Sequence, residues 1–136
     1  MSFSACEEAI TARFVALTDT VNLTVVRDNG PEPADKSARW CRLHVWCSDA
    51  KAISFAGAGA NKYRIEGNAT AEVFAPAKFG ASSLRAIGDA IGSAFNGVAL
   101  TSPDIRFGNP TFGQITQVDG WARREITIPY TFDEVF

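Results

Sequence analysis

The side chains best able to do chemistry in this chain are few and scattered. His44 is the single histidine, and Cys6, Cys41 and Cys47 are the three thiols. A catalytic imidazole needs a nucleophile on one ring nitrogen and an orienting acid on the other. Alternation along Trp40 to Cys47 predicts His44 on one strand face and both Cys41 and Cys47 on the other, so the thiols do not meet the ring. On one strand those two cysteines stand roughly 20 Å apart and cannot bond each other. Zinc needs three or four converging ligands, and neither C-x-x-C nor H-x-x-x-H spacing occurs. Asp28-Asn29-Gly30 resembles the start of a calcium loop without its closing glutamate. Gly57-Ala58-Gly59-Ala60-Asn61-Lys62 lacks the G-K-[ST] that opens a helix in a phosphate loop. The expectation is a protein that is not an enzyme and carries no cofactor and no metal.

Aromatic and cationic side chains remain. Trp40, Arg42, His44 and Trp46 share one face of the Arg39 to Cys47 strand, and Trp121 stands beside Arg123 and Arg124 near the C-terminus. Tryptophan and arginine are the residues enriched at binding hot spots. The competing reading is that the tryptophans cover the sheet beneath a helix, because only one face of each strand meets the main core. Arg123-Arg124 could touch a phosphate, although such a pair more often guards a solvated strand edge.

Several elements must position these groups. Cys6, Ile10, Phe14 and Leu17 recur at helical spacing behind a Ser4/Glu7 capping box, which predicts an amphipathic helix ending before Asp19. Val21 to Val26 reads as a strand. The stretch from Asp28 to Ser37, with Asn29, Pro31 and Pro33, reads as an exposed loop. The strand from Arg39 to Cys47 is followed by a predicted turn over Ser48 to Lys51 and a short strand over Ala52 to Ala56. Lys62 to Phe74 alternates cleanly, with Gly67 marking a bulge or bend. Ser82 or Ser83 is expected to cap a second helix with Leu84, Ile87, Ile91 and Phe95 on its apolar face, and Gly97 to close it. Gly88 and Gly92 would let that helix approach a neighbour closely. Strands are expected over Asp104 to Gly108, Phe112 to Val118 and Trp121 to Phe132. Asp119-Gly120 is the hairpin turn, and Pro129 places its strand at an edge or a bulge. The order α-β-β-β-α-β-β-β predicts an α+β fold, two helices packed on a mainly antiparallel sheet.

Bulk properties agree. The 136 residues make one domain, 1–136, with 46% apolar and 21% charged residues. Thirteen basic against fifteen acidic residues give a net charge of −2, which argues against a general nucleic-acid binder. No signal peptide and no apolar run of membrane-spanning length is read in the sequence, and an odd cysteine count suggests reduced thiols in a cytosol.

In their order and spacing, these features resemble a known family. Asn29-Gly30-Pro31-Glu32-Pro33 followed by Arg39-Trp40-Cys41-Arg42-Leu43-His44-Val45, then Arg64-Ile65-Glu66-Gly67 leading to Val73-Phe74-Ala75-Pro76, a glycine and the helix Leu84 to Phe95, is similar to the tail terminator (tail completion) proteins of long-tailed phages and phage-like gene transfer agents. The hairpin at Asp119-Gly120-Trp121, ending Ile128-Pro129-Tyr130, fits as well. The resemblance spans roughly Ala5 to Asp133 and has no catalytic motif. It implies a structural virion protein at the tail-neck junction, assembled in the bacterial cytoplasm. Such a protein forms a homo-hexameric ring that caps the tail tube, stops its polymerisation and presents a joint to head-tail connector or neck proteins. Its partners would be itself, the tail tube protein and the connector, with DNA only in passage and no membrane. Trp40, Arg42, Trp46, Trp121, Arg123 and Arg124, with Asn29, Pro31 and Pro33 of the loop, are the candidate subunit or tube contacts. The alternative is a small peptide- or nucleic-acid-binding module.

Overall fold

The computed structural model describes residues 3–17, 24–27, 39–53, 62–101 and 104–135. Helix α1 spans Phe3–Val15, and strands β1 (Thr24–Arg27), β2 (Trp40–Ala52) and β3 (Lys62–Pro76) follow. A 3-10 turn over Ala77–Phe79 leads into helix α2 (Gly80–Phe95). Five strands complete the chain: β4 (Ala99–Thr101), β5 (Asp104–Phe107), β6 (Thr111–Phe112), β7 (Thr116–Val118) and β8 (Trp121–Val135). Among the described residues this is an α+β fold with two helices on a mainly antiparallel sheet. The strand order is β1-β2-β3-β8-β5-β4, with β6 and β7 also pairing β8.

The helices and one sheet face enclose the main core. Cys6, Ile10, Phe14 and Leu17 of the α1 segment and Leu84, Ile87, Ile91 and Phe95 of α2 are buried, on the faces their spacing predicts. They meet Cys41 and Leu43 of β2, Ala69, Ala71 and Val73 of β3, and Ile126, Ile128, Tyr130 and Phe132 of β8. Each fully buried Ile, Leu or Phe contributes about 1.5–3 kcal/mol relative to exposure. Phe14 and Phe95 pack with ring centroids 4.7 Å apart, and Arg13 donates to the Ala94 carbonyl at 2.6 Å. These contacts tie α1 to the C-terminal end of α2, where Gly97 takes a φ of 67° and closes the helix.

Several expectations about individual elements are corrected. Ser48 to Lys51 is not a turn, because β2 runs on to Ala52 as a partner of β3. One extra residue is absorbed in a bulge between Cys47 and Asp49, so the irregularity expected at Gly67 of β3 falls on the opposing strand. The strand expected over Ala52 to Ala56 is not formed at its start, since β2 ends at Ala52 and Ile53 donates to the Lys62 carbonyl at 2.8 Å; the rest of it lies outside the described residues. α2 begins at Gly80, which leaves Ser82 and Ser83 inside its first turn. The strand expected over Phe112 to Val118 is two short pieces, separated where Gly113 donates to the Glu125 carbonyl at 2.7 Å.

Pro129 overturns the edge half of its expectation, while the register slips by one residue beside it, between the β5 and β6 pairings with β8. It lies in β8, a central strand, opposite Asn68. In an extended chain the N–H and C=O of one residue point to the same side. The Pro129 carbonyl accepts from Gly108 at 2.9 Å, beyond the end of β5. Its missing donor therefore faces Gly108, just past the end of β5, and the ladder between β5 and β8 stops there.

Candidate interaction surface

The β2–β3–β8 register divides the side chains between two faces. Trp40, Arg42, His44 and Trp46 stand beside Phe74, Glu72, Thr70 and Asn68, and these stand beside Arg123, Glu125, Thr127 and Pro129. All twelve project away from the helices. This second face is polar along most of its length, as an antiparallel sheet with one solvated side requires.

At one end of it sits a separate aromatic cluster of Trp40, Phe74 and Trp121, with Val26 packed against it. Trp40 and Phe74 stack with centroids 4.3 Å apart and planes at 11°. Trp121 meets both edge-on, at 6.1 Å and 6.5 Å. Offset and edge contacts of this kind add about 0.5–1.5 kcal/mol beyond the area buried. The β7–β8 hairpin brings Trp121 into place. Asp119 and Gly120 take φ values of 49° and 83°, the two positive angles that a tight hairpin turn requires. The Gly120 carbonyl then accepts from Ala77 at 3.1 Å, which fixes the turn against the end of β3.

A groove of about 420 Å³ opens beside the cluster, with Arg42, Glu72, Asp119 and Arg123 among its walls. Arg42 lies over the Trp40 ring at 5.2 Å. Arg123 donates from Nε to Glu72 at 3.0 Å and from Nη2 to Glu125 at 3.2 Å. The structure thus brings together Trp40, Arg42, Trp121 and Arg123 from the sequence-based candidates, and adds Phe74.

The remaining candidates lie elsewhere. Trp46 shares the face but not the cluster, and is 39% exposed where Trp40 is 2% exposed. Arg124 turns to the helix side, donates to the Gly113 carbonyl at 3.0 Å and lies 4.9 Å over the Phe112 ring. Space for that arrangement comes from α2, where Gly88 faces Arg124 and Phe112 and Gly92 faces Phe112. Arg123 and Arg124 therefore form no joint basic patch. Asn29, Pro31 and Pro33 lie outside the described residues.

The reactive side chains are separated as the alternation predicts. His44 is exposed on the open face, opposite Thr70, whereas Cys41 is buried in the core on the other side. Burial pushes the thiols of Cys6 and Cys41 up to about 12, so neither is a thiolate at neutral pH. Burial likewise raises the Tyr130 phenol, whose hydroxyl donates to the Trp46 carbonyl at 2.9 Å. Among the described residues no group of three His, Cys, Asp or Glu side chains is placed to hold a metal, and no helix is long and apolar enough to cross a membrane.

No protein-family model and no curated protein matches the chain. Solved structures do share the fold. One, of a protein whose name carries no function, covers 100% of this chain and 96% of its own at a TM-score of 0.73 and 20% identity. At that identity the likeness concerns the fold alone.

Proposed function

We propose that this chain is a structural subunit of the tail-terminator kind, a homo-hexameric ring member that caps a phage-like tail tube, ends its polymerisation and joins it to the head connector. The observation that carries this reading is the aromatic groove of Trp40, Phe74 and Trp121 on a sheet face that neither described helix covers. A closed ring repeats one heterologous contact, so each subunit needs two different complementary patches. An aromatic cluster flanked by arginine is suitable material for one of them. The family resemblance in the sequence supplies the ring and the tube. The open face also carries both signs of charge, as in the Glu72–Arg123–Glu125 and Arg64–Asp133–Arg106 sets, which suits passage of DNA without a tight grip. This role places the protein at the tail-neck junction of the particle.

The same groove favours a peptide-binding module as the second reading. A nucleic-acid module is disfavoured, because Arg123 is held by two carboxylates and Arg124 faces the helix. Electron microscopy of the purified protein, alone and mixed with tail tubes, tests the proposal. Rings of six on tube ends are expected, and tubes left uncapped and growing would overturn it.

A further inference from the structure

A second hollow, of about 480 Å³, opens at the far end of the open face and shares no wall residue with the aromatic groove. It lies across β3, β8 and β5. Glu66, Thr131 and Arg106 stand side by side in one row of the ladder, and Asn68 and Pro129 in the next. Gly108 completes the floor, and a Cβ there would meet the Pro129 ring at 2.9 Å, so the floor stays low. The fold does not use up the polar groups around it. Among the described residues the side chains of Asn68 and Thr131 make no hydrogen bond. Arg106 gives one nitrogen to Asp133 at 3.3 Å, and 41% of its side chain stays exposed. Asp133 also accepts from both Nε and Nη2 of Arg64, and the charge of Lys62 acts on it too, so it does not serve Arg106 alone. Trp46 stands next to Asn68 on this face and is 39% exposed, whereas Trp40 and Trp121 are buried.

We propose that this hollow receives the glutamate or aspartate side chain of an extended segment of another protein, with an apolar residue of that segment resting on Trp46. Arg106, Asn68 and Thr131 supply the donors that a carboxylate accepts. Glu66, on the opposite wall, repels a second negative charge, which favours a carboxylate over a phosphate dianion. A free small ligand is normally buried over most of its surface, whereas a hollow lying on a sheet face suits a side chain delivered by a polypeptide. From Trp46 on β2 to Arg106 on β5 is three strand spacings, with the diagonal offset roughly 15 Å. The acid and the apolar residue therefore fall about four positions apart, on one side of an extended chain. The site is separate from the aromatic groove and does not depend on the ring reading.

Titrating the full chain with the peptide acetyl-Ser-Leu-Ser-Gly-Ser-Glu-Ser-amide tests this. Fluorescence of the exposed Trp46 reports binding, with Trp46→Phe identifying its signal, and NMR follows the Asn68 side-chain amide. Saturable changes in both are expected. Replacing the peptide's Glu by Gln should weaken binding at least tenfold, as should Arg106→Gln, while Arg106→Lys keeps part of it. Raising the salt from about 50 to about 500 mM should weaken it as well. Urea unfolding identifies a variant that fails to fold, and the Glu-to-Gln peptide comparison needs no variant. Equal binding of the two peptides, no saturation by about 5 mM, or wild-type binding by folded Arg106→Gln would overturn the proposal. Acetate or inorganic phosphate binding as tightly as the peptide, or a DNA duplex displacing it, would assign the hollow to another ligand and overturn it too.

Discussion

Gly67 gives the sharpest test of the packing. It lies on the helix-facing side of β3, directly opposite Tyr130 of β8. The Tyr130 ring crosses the empty position and its hydroxyl reaches the Trp46 carbonyl of β2, beside the bulge. One aromatic side chain thus spans three strands. In an ordinary strand interior, replacing glycine by alanine gains roughly 0.5–1 kcal/mol, because the unfolded chain loses freedom. Here the added methyl would overlap both the Tyr130 phenol and the Trp46 carbonyl oxygen. Overpacking typically costs about 1–3 kcal/mol, and a displaced hydroxyl also loses its part-buried bond to the Trp46 carbonyl, at about 1 kcal/mol more. The propensity gain offsets only part of this, so Gly67→Ala should destabilise the protein by about 2–3 kcal/mol. Urea unfolding at equilibrium reads the change directly, and in a domain of this size it corresponds to a fall in Tm of roughly 10 °C. Tyr130→Phe alone should lose about 1 kcal/mol but add little once Gly67 is alanine, so a double-mutant cycle should show coupling. A Gly67→Ala protein as stable as wild type, or two fully additive substitutions, would refute the reasoning.

Other substitutions should behave differently for stated reasons. Gly92→Ala meets only the tip of Phe112 at an ordinary 3.7 Å, so helix propensity should prevail and calorimetry should show a gain of about 0.5–1 kcal/mol. Gly120→Ala must hold a φ of 83° in the β7–β8 turn, and should lose about 1–2 kcal/mol in urea unfolding although open space surrounds it. Asp133 accepts from Arg64 at 3.0 Å and from Arg106 at 3.3 Å, and the Arg64 hydrogen bond holds its carboxyl below the usual range. Its folded-state pKa is depressed, so its contribution is present above the unfolded value near 4 and is lost as pH falls through the folded one. Asp133→Asn should therefore lower stability near pH 7 by about 0.5–1 kcal/mol, a size set by the exposure of both arginines, and flatten the acid limb of a stability-against-pH curve.

Much of the architecture was legible because its signals are local. The i, i+4 spacing of Cys6, Ile10 and Phe14, the mixed i+3 and i+4 spacing from Leu84 to Phe95, the glycine at position 97 and the Asp119-Gly120 turn each involve neighbours in sequence, and each forms as read. The strict alternation from Lys62 to Phe74 likewise gives the correct core face of β3. What escaped the sequence depends on partners far along the chain. Nothing near Pro129 says that the β5 ladder will stop at Gly108, against its missing donor. The composition of Ser48 to Lys51 imitates a turn, yet the backbone there runs on through a bulge as a strand paired with β3. The short parallel pairing of β1 with β2 has no local signature either. The candidate surface divides in the same way. That Trp40, Arg42 and Trp46 share a face follows from period two, whereas the joining of Trp40 to Phe74 and Trp121 needs the register of three strands. Arg123 and Arg124, adjacent in sequence, are sent to opposite faces by that same period.

The bulge in β2 also governs which changes of length the fold can absorb. Before it, even-numbered residues such as Arg42 and Trp46 face the open side, and after it the parity switches, so that odd-numbered Lys51 stands opposite Arg64 on that side. Ser48 is the residue that makes up the difference. Losing one residue there would leave every other side chain of β2 on its present face, whereas losing one at Val45 would turn the whole segment between it and the bulge inside out. Natural length variation among proteins of this fold should therefore gather at this point of the strand, and an engineered deletion is best placed there.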